Sequence, residues 1–234
     1  MTWACSPDTQ TGNRARCGRS VLLMASNASD LTCDLGVEDK TLAQFWYGPE
    51  TLDCLCKQCM KPGVTQLALL SAPSIFFALA AEERGRATLF EFDRRWESES
   101  NFVFFDYRAG PEAIPDSLAG RFDFILADPP NLQMSTLELY ADVIEKLKQQ
   151  DAAILFVTSA DWRGYLFDRL GLVETKFRPS MPSSAWSQCG KFALFSSYAD
   201  PALAATNAEA PAEDSDAGDE DYTGYFLGMP AHEL

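Results

Sequence analysis

The chain has almost no histidine: the single one in 234 residues is His232, close to the C-terminus. That scarcity excludes Ser-His-Asp hydrolases, Cys-His proteases, HExxH metalloproteases and most chemistry that uses imidazole as acid and base. No Walker A pattern and no G-x-G-x-x-G is present, which removes the standard phosphate loops of ATPases and dehydrogenases. No apolar run approaches the roughly 18 residues that a membrane span needs. Residues 1–30 lack a continuous apolar segment followed by a small-residue cleavage site, so no secretory signal is read there. Basic residues are also few. Nineteen Lys and Arg against 34 Asp and Glu leave a formal charge of -15. Grip on nucleic acid without regard to sequence rests on clustered Lys and Arg. The expected partner is therefore a basic protein, with neither nucleic acid nor membrane, and the chain is read as a monomer.

Seven cysteines are scattered along the chain, an odd number that suits a reduced, cytoplasmic protein. Cys54, Cys56 and Cys59 are the nearest approach to a metal cluster. Only the second spacing is C-x-x-C, no paired knuckle or histidine follows, and all three fall in a predicted helix, so no metal is assigned.

What is present is alternation. Residues 1–40 read as a poorly ordered leader, 41–200 as one α/β domain, and 201–234 as an acidic, disordered tail too poor in apolar surface to offset the entropy of ordering. Within the domain, strand-length apolar runs occur at 66–70, 88–92, 102–105, 122–127 and 152–157, with two more near 172–177 and 192–198. The first five are nearly continuous, as expected for strands buried on both faces of a parallel sheet. Helical patterns occupy 41–60, 74–84, 135–150 and 162–170, the last stopped by Gly171. Strand-helix alternation predicts a doubly wound, mostly parallel sheet. The last two runs lack a clear helix between them and are expected to close it as an antiparallel pair.

In such a sheet ligands gather beyond the carboxyl ends of the strands, so the residues standing there are the candidates. After the first strand come Ser71, Ala72 and Pro73, small residues that let a ligand approach the backbone. The second ends in Glu91 and Asp93, of which one can accept the hydroxyls of a ribose; pairing with Arg94 or Arg95 is the alternative. The third ends in Asp106 and Tyr107, a carboxylate and a ring suited to adenine. The fourth runs straight into Asp128-Pro129-Pro130-Asn131. Two successive prolines fix φ and remove two donors, giving a stiff loop whose carbonyls face outward. Such a loop can accept the hydrogens of an amino group and aim its lone pair at a methyl donor.

These residues, with Gln44-Phe45-Trp46-Tyr47 ahead of the first strand, resemble the eukaryotic lysine methyltransferases of translation elongation factor 1-alpha, once suspected of being N6-adenine-specific DNA methyltransferases. Order and spacing agree over about 41–200. The resemblance implies a seven-stranded Rossmann-like sheet, S-adenosylmethionine as cofactor, and methylation of a lysine ε-amine on elongation factor 1-alpha. It places Ser71–Pro73 at the methionine and ribose, Glu91 ahead of Asp93 at the ribose, and Asp106 with Tyr107 at the adenine. It further places Asp128 and the Pro129 carbonyl at the amine, with Trp46 and Tyr47 over the pocket or, equally, in the core. One departure stands out. The family carries an aromatic residue after Asp-Pro-Pro, where a ring would favour a methylammonium by about 0.5–2 kcal/mol; here the residue is Asn131, free to hydrogen-bond the amine instead. The alternatives are adenine N6-methylation and a methyltransferase-like fold that binds without catalysis.

Overall fold

The computed structural model describes residues 35–184 and 191–210. Seven strands form one sheet: β1 (Leu67–Leu70), β2 (Ala87–Glu91), β3 (Phe102–Phe104), β4 (Phe122–Ala127), β5 (Lys148–Ser159), β6 (Val173–Glu174) and β7 (Phe192–Ser196). Their spatial order is β3-β2-β1-β4-β5-β7-β6. The first five pair in parallel, and β7 runs antiparallel between β5 and β6. This is the doubly wound α/β sheet that the alternation predicts, with strand order reversing between β1 and β4.

The helices are α1 (Pro49–Cys59), α2 (Pro73–Ala78), α3 (Ala81–Arg84), α4 (Met134–Leu147) and α5 (Arg163–Leu170). Side chains alternate through the sheet into two cores. Leu67, Leu69, Leu89, Leu126, Val157 and Leu194 pack on the side of α1 and α2, with Leu55, Cys56 and Ile75. Leu70, Phe90, Ile125, Ala127, Phe156 and Phe195 pack on the side of α4 and α5, with Leu137, Ile144 and Leu166. Each large apolar side chain fully buried in this way stabilises the fold by about 1.5–3 kcal/mol.

Several boundaries differ from the sequence reading, each for a local reason. The helix expected over 41–60 begins only at Pro49, where a proline fits the first turn and its missing N–H is no loss. The 74–84 helix is two short ones, separated where Leu79 and Ala80 turn extended. Gly171 does end α5, in the left-handed conformation that glycine reaches without penalty. The 172–177 strand is short because, past Glu174, the Lys176 and Phe177 amides leave the ladder for the Leu203 carbonyl. β4 carries a bulge: the Asp123 and Phe124 amides both donate to the Gln66 carbonyl, at 3.1 and 3.3 Å, and the register with β5 shifts there. Phe122 and Phe124 consequently enter opposite cores.

The leader and tail fall mostly outside the described residues, but their inner edges are in view and are packed. Leu35 is buried. Residues 201–210, read from composition as the start of a solvated tail, fold back onto α1 instead. Leu203 enters the core, and buried Asn207 donates to Thr51 Oγ1 (3.1 Å) and to the Arg178 carbonyl (2.8 Å). Glu209 accepts the Glu50 amide hydrogen at 3.0 Å. Gly48, the residue ahead of the helix, has no side chain to cap it, so the distant carboxylate supplies the acceptor that the first turn of α1 requires.

Among the described residues no helix is long and apolar enough to cross a membrane. Cys54, Cys56 and Cys59 lie on α1 as buried thiols. Burial pushes Cys54 up to about 11 and Cys56 up to about 12, and Cys59 further still, which holds all three as protonated core groups.

Candidate active site

The carboxyl ends of the parallel strands β1, β2, β3 and β4 lie along one edge of the sheet, where strand order reverses between β1 and β4, the place at which such sheets bind ligands. Ser71 closes β1 with a positive φ of 54°, a conformation that costs a non-glycine residue free energy. Its amide still donates to the Phe90 carbonyl at 2.8 Å. The turn is held from below: Ser71 Oγ shares a 2.6 Å hydrogen bond with the hydroxyl of Tyr140, a fully buried residue of α4. Ala72 then leads into α2, with Pro73 at its first position.

Tyr140 is the residue that sequence reasoning missed. Its hydroxyl lies within electrostatic reach of Glu91, Asp128 and Tyr107, and its ring packs against Phe105, Tyr107 and Phe156. In sequence it is one of several apolar-face positions of α4, beside Leu137, Ala141 and Ile144, and nothing in that stripe sets it apart.

At the end of β2 the two acidic candidates separate. Asp93 is consumed by structure: it accepts from the Arg95 amide and Nε at 2.9 and 2.6 Å and from Gln44 Nε2 at 3.0 Å. Glu91, only 6% exposed, accepts the Asp93 amide hydrogen at 2.9 Å. Arg95 forms no ion pair with it, since its remaining donors go to Gln44 and to the Leu35 and Val37 carbonyls, although its charge acts to hold the Glu91 carboxyl down. Burial pushes the Glu91 carboxyl up to about 7. Asp106, at the end of β3, is likewise engaged: it grips Arg108 with both oxygens, at 2.8 and 2.9 Å, which holds its carboxyl below the usual range. A ligand could reach Asp106 only by sharing that ion pair.

The Asp-Pro-Pro loop leaves β4 while still tied to the sheet, since the Asp128 amide donates to the Leu70 carbonyl at 3.0 Å. Its far end is fixed by Trp162, whose indole N–H donates to the Leu132 carbonyl at 2.8 Å. Asn131 spends both ends of its amide on this framework. Nδ2 donates to the Tyr107 hydroxyl at 3.1 Å and Oδ1 accepts the Gln133 amide hydrogen at 3.2 Å, so it braces the loop against β3. The Asp128 carboxyl is pushed up to about 7, first by burial and further by the charge of Glu91, while the Tyr47 hydroxyl beside it acts in the opposite direction.

Of the two aromatic candidates ahead of α1, Tyr47 faces Asp128. Trp46 turns elsewhere: its indole N–H donates to the Gly36 carbonyl at 3.2 Å, and its ring meets Trp96 at 6.3 Å. Neither buried Glu91 nor half-buried Asp128 forms an ion pair among the described residues, although the charge of Arg95 reaches Glu91. Small residues at a sharp turn, a Tyr107 ring at the rim and an acceptor-lined loop complete the crevice. Such a site suits an extended, positively charged ligand with a ribose-like diol.

A family model described as probable N6-adenine methyltransferase matches residues 38–200. The chain is 33% identical over 172 residues to EEF1A lysine methyltransferase 1 of Gallus gallus, covering 69% of this chain and 76% of that one. It is 30% identical over 175 residues to protein-lysine N-methyltransferase M142.8 of Caenorhabditis elegans, covering 69% and 78%. With EEF1A lysine methyltransferase 1 of Bos taurus the identity is 33% over 148 residues, 61% of this chain and 64% of the relative's length.

Proposed function

Because the chain belongs to the probable N6-adenine methyltransferase family, alongside the EEF1A lysine methyltransferases, we propose that it methylates a lysine ε-amine of a basic protein, elongation factor 1-alpha, using S-adenosylmethionine. The observation that carries this reading is the unneutralised pair Glu91 and Asp128. Holding two carboxyl groups near each other with an ion-pair partner for neither is costly, and positive charge brought by a ligand relieves that cost. A sulfonium cofactor does so throughout, and a lysine side chain does so on arrival, before it sheds its proton. An adenine amine does not, and the phosphates around it would add to the repulsion, so the pair favours lysine over nucleic acid.

S-adenosylmethionine supplies an electrophilic methyl group on a positively charged sulfur. Within this chain, Glu91 accepts the two ribose hydroxyls, and Tyr107 packs the adenine at the rim. The Ser71 turn, braced by Tyr140, brings the backbone of Ser71–Pro73 close to the ribose and methionine. Asp93 has no direct part, being tied to Arg95. Asp128 and the Pro129 carbonyl form the acceptor cradle that orients the target amine, and Pro130 with Asn131 keeps that cradle stiff. Lysine must be neutral to react; at pH 7 shedding its proton costs roughly 4.6 kcal/mol from a free pKa of about 10.4. Burial against an adjoining positive charge lowers that cost, because both disfavour the ammonium.

The test is incubation of the full chain with labelled cofactor and either elongation factor 1-alpha or nucleic acid. Label is expected in the protein, at lysine. Asp128→Ala should cut transfer by about 100-fold or more while calorimetry finds cofactor affinity changed by no more than about threefold. Label in nucleic acid, or equal loss of binding and transfer, would overturn the assignment.

A further inference from the structure

Two buried side-chain atoms lack a hydrogen-bond partner among the described residues, Thr158 Oγ1 and the Tyr47 hydroxyl. Thr158 lies in the sheet interior, where β5 pairs with β7. Tyr47 is different. Its side chain is enclosed, 4% exposed, yet the hydroxyl lies beside Asp128 at the reaction loop without reaching the geometry of a full hydrogen bond. A buried hydroxyl left unpaired costs about 1–3 kcal/mol, and such groups call for a reason.

The backbone around Tyr47 is clamped on both sides, so the orphaned hydroxyl does not reflect a loose segment. The Trp46 amide donates to Glu38 at 2.8 Å. The Gly48 amide donates to the Ser180 carbonyl at 2.8 Å, and α1 starts at the next residue. The phenol is also held neutral, since burial and the Asp128 charge push its ionisation well above the usual range. It therefore keeps one hydrogen to donate and lone pairs to accept with.

We infer that the Tyr47 hydroxyl is a substrate-positioning group that, with the amine in place, donates its hydrogen to the Asp128 carboxylate and accepts a hydrogen from the amine. This rests on the lysine-methylation reading. A neutral amine carries two hydrogens and one lone pair. With one hydrogen taken by the Asp128–Pro129 cradle and the other by Tyr47, the lone pair has a single direction left. The ring comes from the segment ahead of α1 and the cradle from the end of β4, so the amine is held from two independent elements. Phenylalanine at this position fills the same volume but removes the acceptor.

Asp128 is faced by Tyr47 from the segment before α1, by Glu91 from β2 and by Tyr140 from α4. Of these only the Tyr47 hydroxyl holds the Asp128 carboxyl down, which supplies a readout independent of turnover. The experiment compares Tyr47→Phe with the wild-type full chain in three measurements: urea unfolding, carbon NMR titration of the Asp128 carboxyl, and methyl transfer to elongation factor 1-alpha with cofactor affinity by calorimetry. Stability should be little changed, because the hydroxyl has no full hydrogen bond to lose in the free protein, and Asp128 should titrate about half a unit or more higher. Transfer should fall by about tenfold or more with cofactor affinity within about twofold, and the acid limb of the rate profile should move up with Asp128. A transfer rate within about twofold of wild type, or an Asp128 titration that does not move, would overturn the inference. Wild-type protein that labels no lysine, with the Asp128 titration still shifted by the substitution, would retain the hydroxyl–carboxylate coupling and remove lysine methylation itself.

Discussion

Glu91 stands against the fold that surrounds it. Its carboxyl is pushed up to about 7 by burial, from an ordinary value near 4.5. Raised this way, the group favours the folded state when protonated, so its contribution is full below about pH 4.5 and is lost as pH rises through about 7. Glu91→Gln removes the penalty. By urea unfolding the variant should be more stable than wild type at about pH 8, by up to about 3 kcal/mol, and equal to it near pH 4.5. The same substitution should weaken S-adenosylmethionine binding by about tenfold or more, because an amide is a poorer ribose acceptor and brings no charge to a cation. A variant that gains stability and keeps full affinity would show that the carboxylate serves neither. Strand pattern alone could not choose between Glu91 and Asp93, which sit two residues apart at one strand end, and only the resemblance put Glu91 first; Arg95 favours the same order, since its donors reach Asp93, Gln44 and two backbone carbonyls. Tyr140 was hidden for a related reason, as a hydroxyl carried on a face that reads as core.

Among the elements, α1 depends on a residue far along the chain. Its first turn begins after Gly48, which offers no side-chain acceptor, and Glu209 takes that part at 3.0 Å from the Glu50 amide. A side chain grown from Gly48 would collide with that same carboxylate, as an added Cβ would lie 2.5 Å from Glu209 Oε2. Glu209→Ala is expected to lower stability by about 1 kcal/mol, the usual worth of a helix N-terminal acceptor, with a matching fall in Tm. Glu209→Gln should recover most of the hydrogen bond and so part of the loss. No change in either variant would mean that water serves the helix end equally well. The strands were legible because continuous apolar runs leave little choice, and 122–127 agrees to the residue. The packed part of 201–210 was not legible, since Ala, Pro, Asn and Glu say nothing of a fold until Leu203 and Asn207 have neighbours to meet.

At the scale of the molecule, the charge of -15 acts on encounter more than on chemistry. An acidic enzyme meeting a basic protein is steered by long-range attraction that salt screens. Raising ionic strength from about 0.05 to 0.3 M should lower kcat/KM for the protein substrate several-fold, by about three- to tenfold, through KM with kcat held. Cofactor affinity measured over the same range separates this effect from salt acting inside the crevice. A salt-independent kcat/KM would locate recognition in uncharged contacts. The fold class was readable from the alternation of runs and patterns. The strand order was not, because nothing local in 192–196 announces that it lies inside the sheet and not at its edge.

That placement has a consequence for biosynthesis. β7 slots between β5 and β6 and, among the described residues, is the only strand paired to β6. A nascent chain that has not yet extruded 192–196 therefore presents the flank of Leu155–Ser159 as bare backbone, an invitation to intermolecular pairing. Closure of the sheet on this side waits for residues 192–196, and an unpaired flank of this kind is the surface that chaperones shield.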